Sequence, residues 1–132
     1  DVIAFGSTHS TLGPIVEAAA KKVDISLSAD PMPEQALFTR SDHYSFVKVG
    51  IPSVFLMTGF KSKDREIDGG KLFGEFLTTH YHNHSDEIEL PINYQAAASF
   101  AEVNLMIGLE IANQKDSPKW NAGDFFGKTF AE

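Results

Sequence analysis

The five histidines of this chain fall in three places: His9, His43, and the run containing His80, His82 and His84. Imidazole is the side chain most used to bind metals and the one that changes charge near neutral pH, so these positions are the first places to look for chemistry. Alternate residues of an extended segment face the same way. His80-Tyr81-His82-Asn83-His84 would then present three imidazoles together, a set able to hold zinc. Ligands of such sites normally come from separate elements, however, and the flanking sequence reads as loop, which leaves solvent-facing histidines as the alternative. Asp86 follows four residues after His82. Its carboxylate is placed to orient a ligating imidazole through the second ring nitrogen, or it belongs to an acidic turn with Glu87 and Glu89.

Arg40-Ser41-Asp42-His43 precedes a short helical stretch that Gly50 would close. Ser41 or Asp42 suits the helix N-cap, while an Asp-His pair after a strand-like segment also suits the ligand-bearing end of an α/β sheet. Nucleophilic catalysis finds less support, since there is no Gly-x-Ser-x-Gly and no cysteine. His84-Ser85-Asp86 spells His-x-Asp, a pair that can open a two-metal site, but no apolar strand precedes it. No Glu-Glu pair occurs.

These residues need elements to position them. Val2 to Phe5 is an apolar run closed by Gly6, as in a strand covered on both faces. Leu12, Ile15, Val16, Ala19 and Ala20 share one face of a helix that Ser10 or Thr11 would cap, with Pro14 in its first turn. Ile25 to Leu27 and Pro52 to Met57 are expected as strands. Gly59 to Thr79 begins with a dense run of charges, contains Gly69-Gly70, and reads as a surface excursion. Asn93 to Asn113 is a long helix, apolar over more than half its circumference. Residues 115–132, with Trp120, Phe125, Phe126 and Phe130, are expected to lie irregularly against the core. The alternation of strands and helices implies an α/β fold with some parallel strands.

Bulk properties narrow the classes. The 132 residues are 42% hydrophobic and 22% charged, as in a single globular domain, and the net charge of -7 disfavours a nucleic-acid partner. No apolar run is long enough to cross a membrane, and any bound metal must use His, Asp or Glu because cysteine is absent. The chain opens on Asp1, directly inside an apolar run, which leads us to expect a piece of a longer polypeptide.

Ser41-Asp42-His43-Tyr44-Ser45-Phe46, then Gly50-Ile51-Pro52-Ser53-Val54, then Tyr81-His82-Asn83-His84-Ser85-Asp86, in this order, resemble the closing motifs of two-zinc aminopeptidases. The relatives are aminopeptidase Y, bacterial leucyl aminopeptidase, glutamate carboxypeptidase II and the glutaminyl cyclases. The resemblance implies the C-terminal portion of one catalytic domain, a partial three-layer α/β/α sandwich with a mixed sheet. It implies that His82 is a zinc ligand, that Asp86 orients it, and that Phe38, Arg40, His43, Phe55, Met57 and Tyr81 border the pocket for the substrate's first side chain. Such a pocket favours apolar or aromatic amino-terminal residues, with Arg40 admitting polarity. Asn83 and Glu87 depart from the threonines common in the family's motif.

The chemistry so implied is hydrolysis of an amino-terminal peptide bond by a water held between two zinc ions, with a glutamate as general base. That glutamate, the His-x-Asp and a further Asp ligand have no counterpart here, so the isolated chain is expected to bind zinc weakly or not at all and to be inactive. The relatives point to a periplasmic or secreted parent. Two other readings stand beside this one: a non-catalytic module that self-associates through an exposed sheet edge, and a metal-binding protein using His80, His82 and His84.

Overall fold

A computed structural model describes residues 1–131. Three strands, β1 (Val2–Phe5), β2 (Leu27–Ser28) and β3 (Phe55–Thr58), form a mixed sheet in the order β2-β1-β3. β1 pairs parallel with β2 and antiparallel with β3, in a register that sets Ile3 opposite Met57, Ala4 opposite Leu56 and Phe5 opposite Phe55. The side-chain period of two therefore sorts the sheet into two faces. Ala4 and Leu56 point to one face; Ile3, Phe5, Phe55 and Met57 point to the other.

The first face is covered by helices α1 (Leu12–Lys22) and α4 (Tyr94–Asn113). Leu12, Ile15, Val16, Ala19 and Ala20, the stripe expected from the sequence, are all buried, and Val103 and Ile107 of α4 close over them. The opposite side of α4 is also apolar, with Ala97, Ala101, Leu105 and Leu109 exposed. The second face carries α2 (Tyr44–Val47) and α5 (Phe125–Phe130), whose Val47, Phe126 and Phe130 pack with Phe38 on Ile3 and Phe5. Helices thus lie on both sides of a mixed sheet, the expected three-layer arrangement in partial form. No helix among the described residues is long and apolar enough to cross a membrane.

Several expectations need correction. The second strand begins at Leu27 instead of Ile25, and the third at Phe55 instead of Pro52. The charged excursion holds an eleven-residue helix, α3 (Gly69–Thr79), started by the Asp68 carboxylate, which accepts from the Lys71 N–H at 3.0 Å. Residues 115–132 contain α5 and are not wholly irregular. Neither Ser41 nor Asp42 caps α2 through its side chain. The helix is held at its other end: Gly50, at φ +83°, permits the Ile51 N–H to reach the Phe46 carbonyl at 3.1 Å and its own N–H to reach that of Val47 at 2.9 Å.

The tail is tied down through Trp120, Asn121 and Asp124. The Trp120 indole donates to the Gly50 carbonyl at 2.8 Å, and the Asn121 N–H to the His9 carbonyl at 2.9 Å. Asp124 caps α5 by accepting from the Phe126 and Gly127 N–H groups, and its other oxygen lies 2.7 Å from His9 Nδ1. Burial would raise this carboxyl's pKa, but the His9 hydrogen bond, the two backbone donors and the His9 charge together hold it below its ordinary 3.8. A carboxyl depressed in the folded state stabilises the fold above its unfolded value, and that contribution disappears as pH falls through the lower folded value. Asp124→Ala should cost about 1–3 kcal/mol at neutral pH, from the cap and the charge-assisted bond. Thermal denaturation should show the difference from the parent chain narrowing below about pH 4; a constant difference down to the acid limit would contradict this role.

Candidate functional site

A cavity of about 570 Å³ opens on the second face of the sheet, between β3 and α3. Strand alternation sends Phe55 and Met57 to its floor, and helical spacing brings Phe73, Phe76 and Leu77 along one side of α3 to form its wall. Arg40 and Ser41 border it from the segment ahead of α2. Tyr81 completes it just after α3, where its N–H and that of His80 both donate to the Phe76 carbonyl at 3.0 and 2.9 Å. The size and apolar lining, with a few polar groups at one side, suit a small organic ligand or one peptide side chain.

Of the six residues assigned to a substrate pocket, Arg40, Phe55, Met57 and Tyr81 meet in this cavity. Phe38 and His43 do not reach it. Phe38 is buried among His9, His43, Tyr44 and Phe126, and the His43 ring stacks on Phe55 at 5.3 Å, supporting the floor from behind. Both His43 ring nitrogens are enclosed without a hydrogen-bond partner. Burial lowers the pKa of this ring below 6.5 and favours the neutral imidazole; the Phe38 backbone, near the ring but short of hydrogen-bond geometry, and the Asp42 carboxylate oppose it less strongly. Sequence reading missed Phe73, Phe76 and Leu77. Their i, i+3, i+4 spacing was the available signal, masked by the glycines and charges that made the segment read as loop.

Larger hollows lie elsewhere. One of about 740 Å³ lies between α1 and the loop after β3, lined by charges of both signs including the exposed Lys63–Asp24 pair at 2.8 Å. Another, about 690 Å³, lies where His43 and Gly50 approach Ile111. Apart from His43 in the second, no candidate residue reaches either of them.

The histidine run does not gather. His80 Nδ1 lies 3.1 Å from both the carbonyl and the hydroxyl oxygen of Ser85, whereas His82 and His84 are exposed. His82 has a left-handed backbone, φ +58°, and its ring lies against that of Tyr81 with 4.0 Å between centroids. Such a backbone is uncommon outside glycine; Asp24 and Ala36 share it here, at φ +56° and +48°. Asp86 borders a separate hollow with His80 and Glu87, and its backbone N–H donates to the Asn83 carbonyl at 3.0 Å. Its carboxylate makes no hydrogen bond to His82 among the described residues. Nor do any three His, Asp or Glu side chains of the described residues come together to hold a metal ion. Zinc requires three or four protein donors, so the donor set present does not fit a zinc site.

The apolar cavity, with the Tyr81 ring at its edge lying against His82, is thus the part of the molecule best suited to recognising a ligand. Comparison with known families extends over the same part: a family model described as Peptidase family M28 matches residues 1–108, from β1 into α4, and includes the whole cavity together with His82 and Asp86. No curated protein and no solved structure matches alongside it. With most of its length accounted for by that model, the chain belongs to peptidase family M28, whose members are hydrolases of peptide bonds.

Proposed function

We propose that this chain forms the side-chain pocket of a zinc-dependent aminopeptidase, supplies one metal donor, His82, and is inactive without donors from outside residues 1–132. The observation that carries this reading is the cavity itself. Four residues expected to border a pocket for the first side chain converge there, and the ring of one of them, Tyr81, lies against His82. Its floor of Phe55 and Met57 and wall of Phe73, Phe76 and Leu77 favour leucine, methionine or phenylalanine at the amino terminus of a peptide. The uncovered apolar side of α4 supports the view that further layers pack on this segment in the working enzyme. In the same reading Asp86 orients His82 once a metal is present, and the parent enzyme works in the periplasm or outside the cell.

The enzyme containing this segment should release p-nitroaniline from Leu- and Phe-p-nitroanilide but not from their N-acetylated forms, and the 132-residue chain should cleave neither. Cleavage of acetylated and free substrates at equal rates would rule out an aminopeptidase. A second reading, a non-catalytic module that self-associates through its sheet, is favoured by the outer strands β2 and β3, each paired on one side only among the described residues. It predicts a stable metal-free oligomer at micromolar concentration. Sedimentation as a monomer would exclude it.

A further inference from the structure

Within the apolar cavity Arg40 stands apart: among the described residues it is the only one of the lining with a charge. Its side chain is exposed, and Nη1 donates to the Gln35 backbone carbonyl at 3.2 Å and to the Gln35 side-chain oxygen at 3.4 Å, which draws one arm of the guanidinium toward Gln35. Among the described residues no acceptor bonds its Nε or Nη2, and no carboxylate pairs with it. A guanidinium presents its donors as a rigid fork matched to a carboxylate, and one arm anchored to Gln35 reduces the freedom lost when the other arm is engaged. Phe55, Met57 and Phe76 lie across the same space and take an apolar body.

We infer that the cavity recognises an apolar or aromatic group together with a carboxylate, the first on the aromatic floor and the second on Arg40. This deepens the aminopeptidase reading by naming the substrate class: peptides with an apolar first residue and a carboxylate one residue further on. Two sources share that chemistry, the terminal carboxylate of a dipeptide and the side chain of an acidic second residue. The net charge of -7 bears on the choice of ligand, because the molecule as a whole repels anions. A carboxylate held here is held by the local guanidinium and the apolar contacts together.

Binding to the 132-residue chain tests this without any need for catalysis. Titrations with N-(3-phenylpropionyl)glycine, its glycinamide and N-acetylglycine, followed by NMR shifts of residues around the cavity, compare the acid, its uncharged analogue and the carboxylate without the aromatic group. The acid should bind about threefold more tightly than the amide, the increment expected for an ion pair on an exposed guanidinium, and N-acetylglycine should bind most weakly. Arg40→Gln should erase the preference by weakening the acid more than the amide, and Phe76→Ala should weaken acid and amide alike. Phe-Gly and Phe-Asp-amide, compared with Phe-Gly-amide, then identify the source of the carboxylate. Equal binding of acid and amide to the parent chain, a preference that survives Arg40→Gln, or binding of neither probe would overturn the inference. A chain that shows the preference while the enzyme containing it fails to cleave Phe-p-nitroanilide would defeat the peptidase reading and leave the carboxylate site standing.

Discussion

Gly6→Ala is expected to destabilise the fold by roughly 2–5 kcal/mol, combining the left-handed backbone penalty with overpacking. Gly6 has φ +86° and carries the chain out of β1 into the turn bearing His9. An added Cβ would overlap the Phe38 ring and lie 2.6 Å from the Ser53 carbonyl oxygen. Phe38 cannot yield easily, because His9 and His43 flank it with ring centroids 5.3 and 5.0 Å away. Ser53 is backbone leading into β3. The strain would therefore pass to His43 and Phe55, which form and support the cavity floor. Urea or thermal denaturation should show the loss, a fall in midpoint of roughly 10 °C or more. Gly74→Ala is the natural control: nothing lies within 4 Å of the added atom, and alanine favours the helix, so α3 should be unharmed or slightly more stable. A Gly6→Ala chain as stable as its parent would show that the packing at the end of β1 is wrongly described.

How much of this was legible in the sequence depended on whether the signal was local. The five apolar residues of α1 have the helical period and nothing interrupts them, so the buried stripe was read residue by residue. The long helix α4 was found to within one residue for the same reason. Strand limits were not local. Pro52 and Val54 are as apolar as Phe55, and only the pairing with β1 decides that the ladder begins opposite Phe5. At α3 the glycines at positions 69, 70 and 74 argue against a helix, and what overrides them is tertiary: Phe73 packs on Phe60 with ring centroids 5.7 Å apart, and the apolar side of the helix closes the cavity. In the tail, aromatic residues predicted contact with the core, but the helix depends on Asp124, whose partner His9 is 115 residues away in sequence.

The candidate site divides in the same way. Arg40, Phe55, Met57 and Tyr81 were named from ordered motifs and do meet. Phe38 and His43 were named with them but fill the core behind, because Phe38 sits beneath Gly6 and the neutral His43 ring stacks on Phe55. Sequence neighbourhood could not separate lining from support. It also could not show that the Tyr81 ring would lie against His82, since that depends on the left-handed turn at His82 itself.

His82 is the one metal donor proposed for this chain, and its replacement carries the largest expected effect on activity. An exposed histidine contributes little to stability, so His82→Ala should fold as the parent does, with circular dichroism and melting temperature nearly unchanged. If His82 is a metal donor, its loss should exceed the about 10–100-fold that removing an outer hydrogen-bond partner of a metal site costs. His84→Ala, two residues away and also exposed, should change activity less than about threefold. The decisive measurement is kcat/KM for Leu-p-nitroanilide by the zinc-loaded enzyme containing this segment, as parent, His82→Ala and His84→Ala. The account predicts activity reduced more than about 100-fold in His82→Ala alone, with zinc content lowered in the same variant; a His82→Ala enzyme that keeps both its activity and its zinc would contradict it.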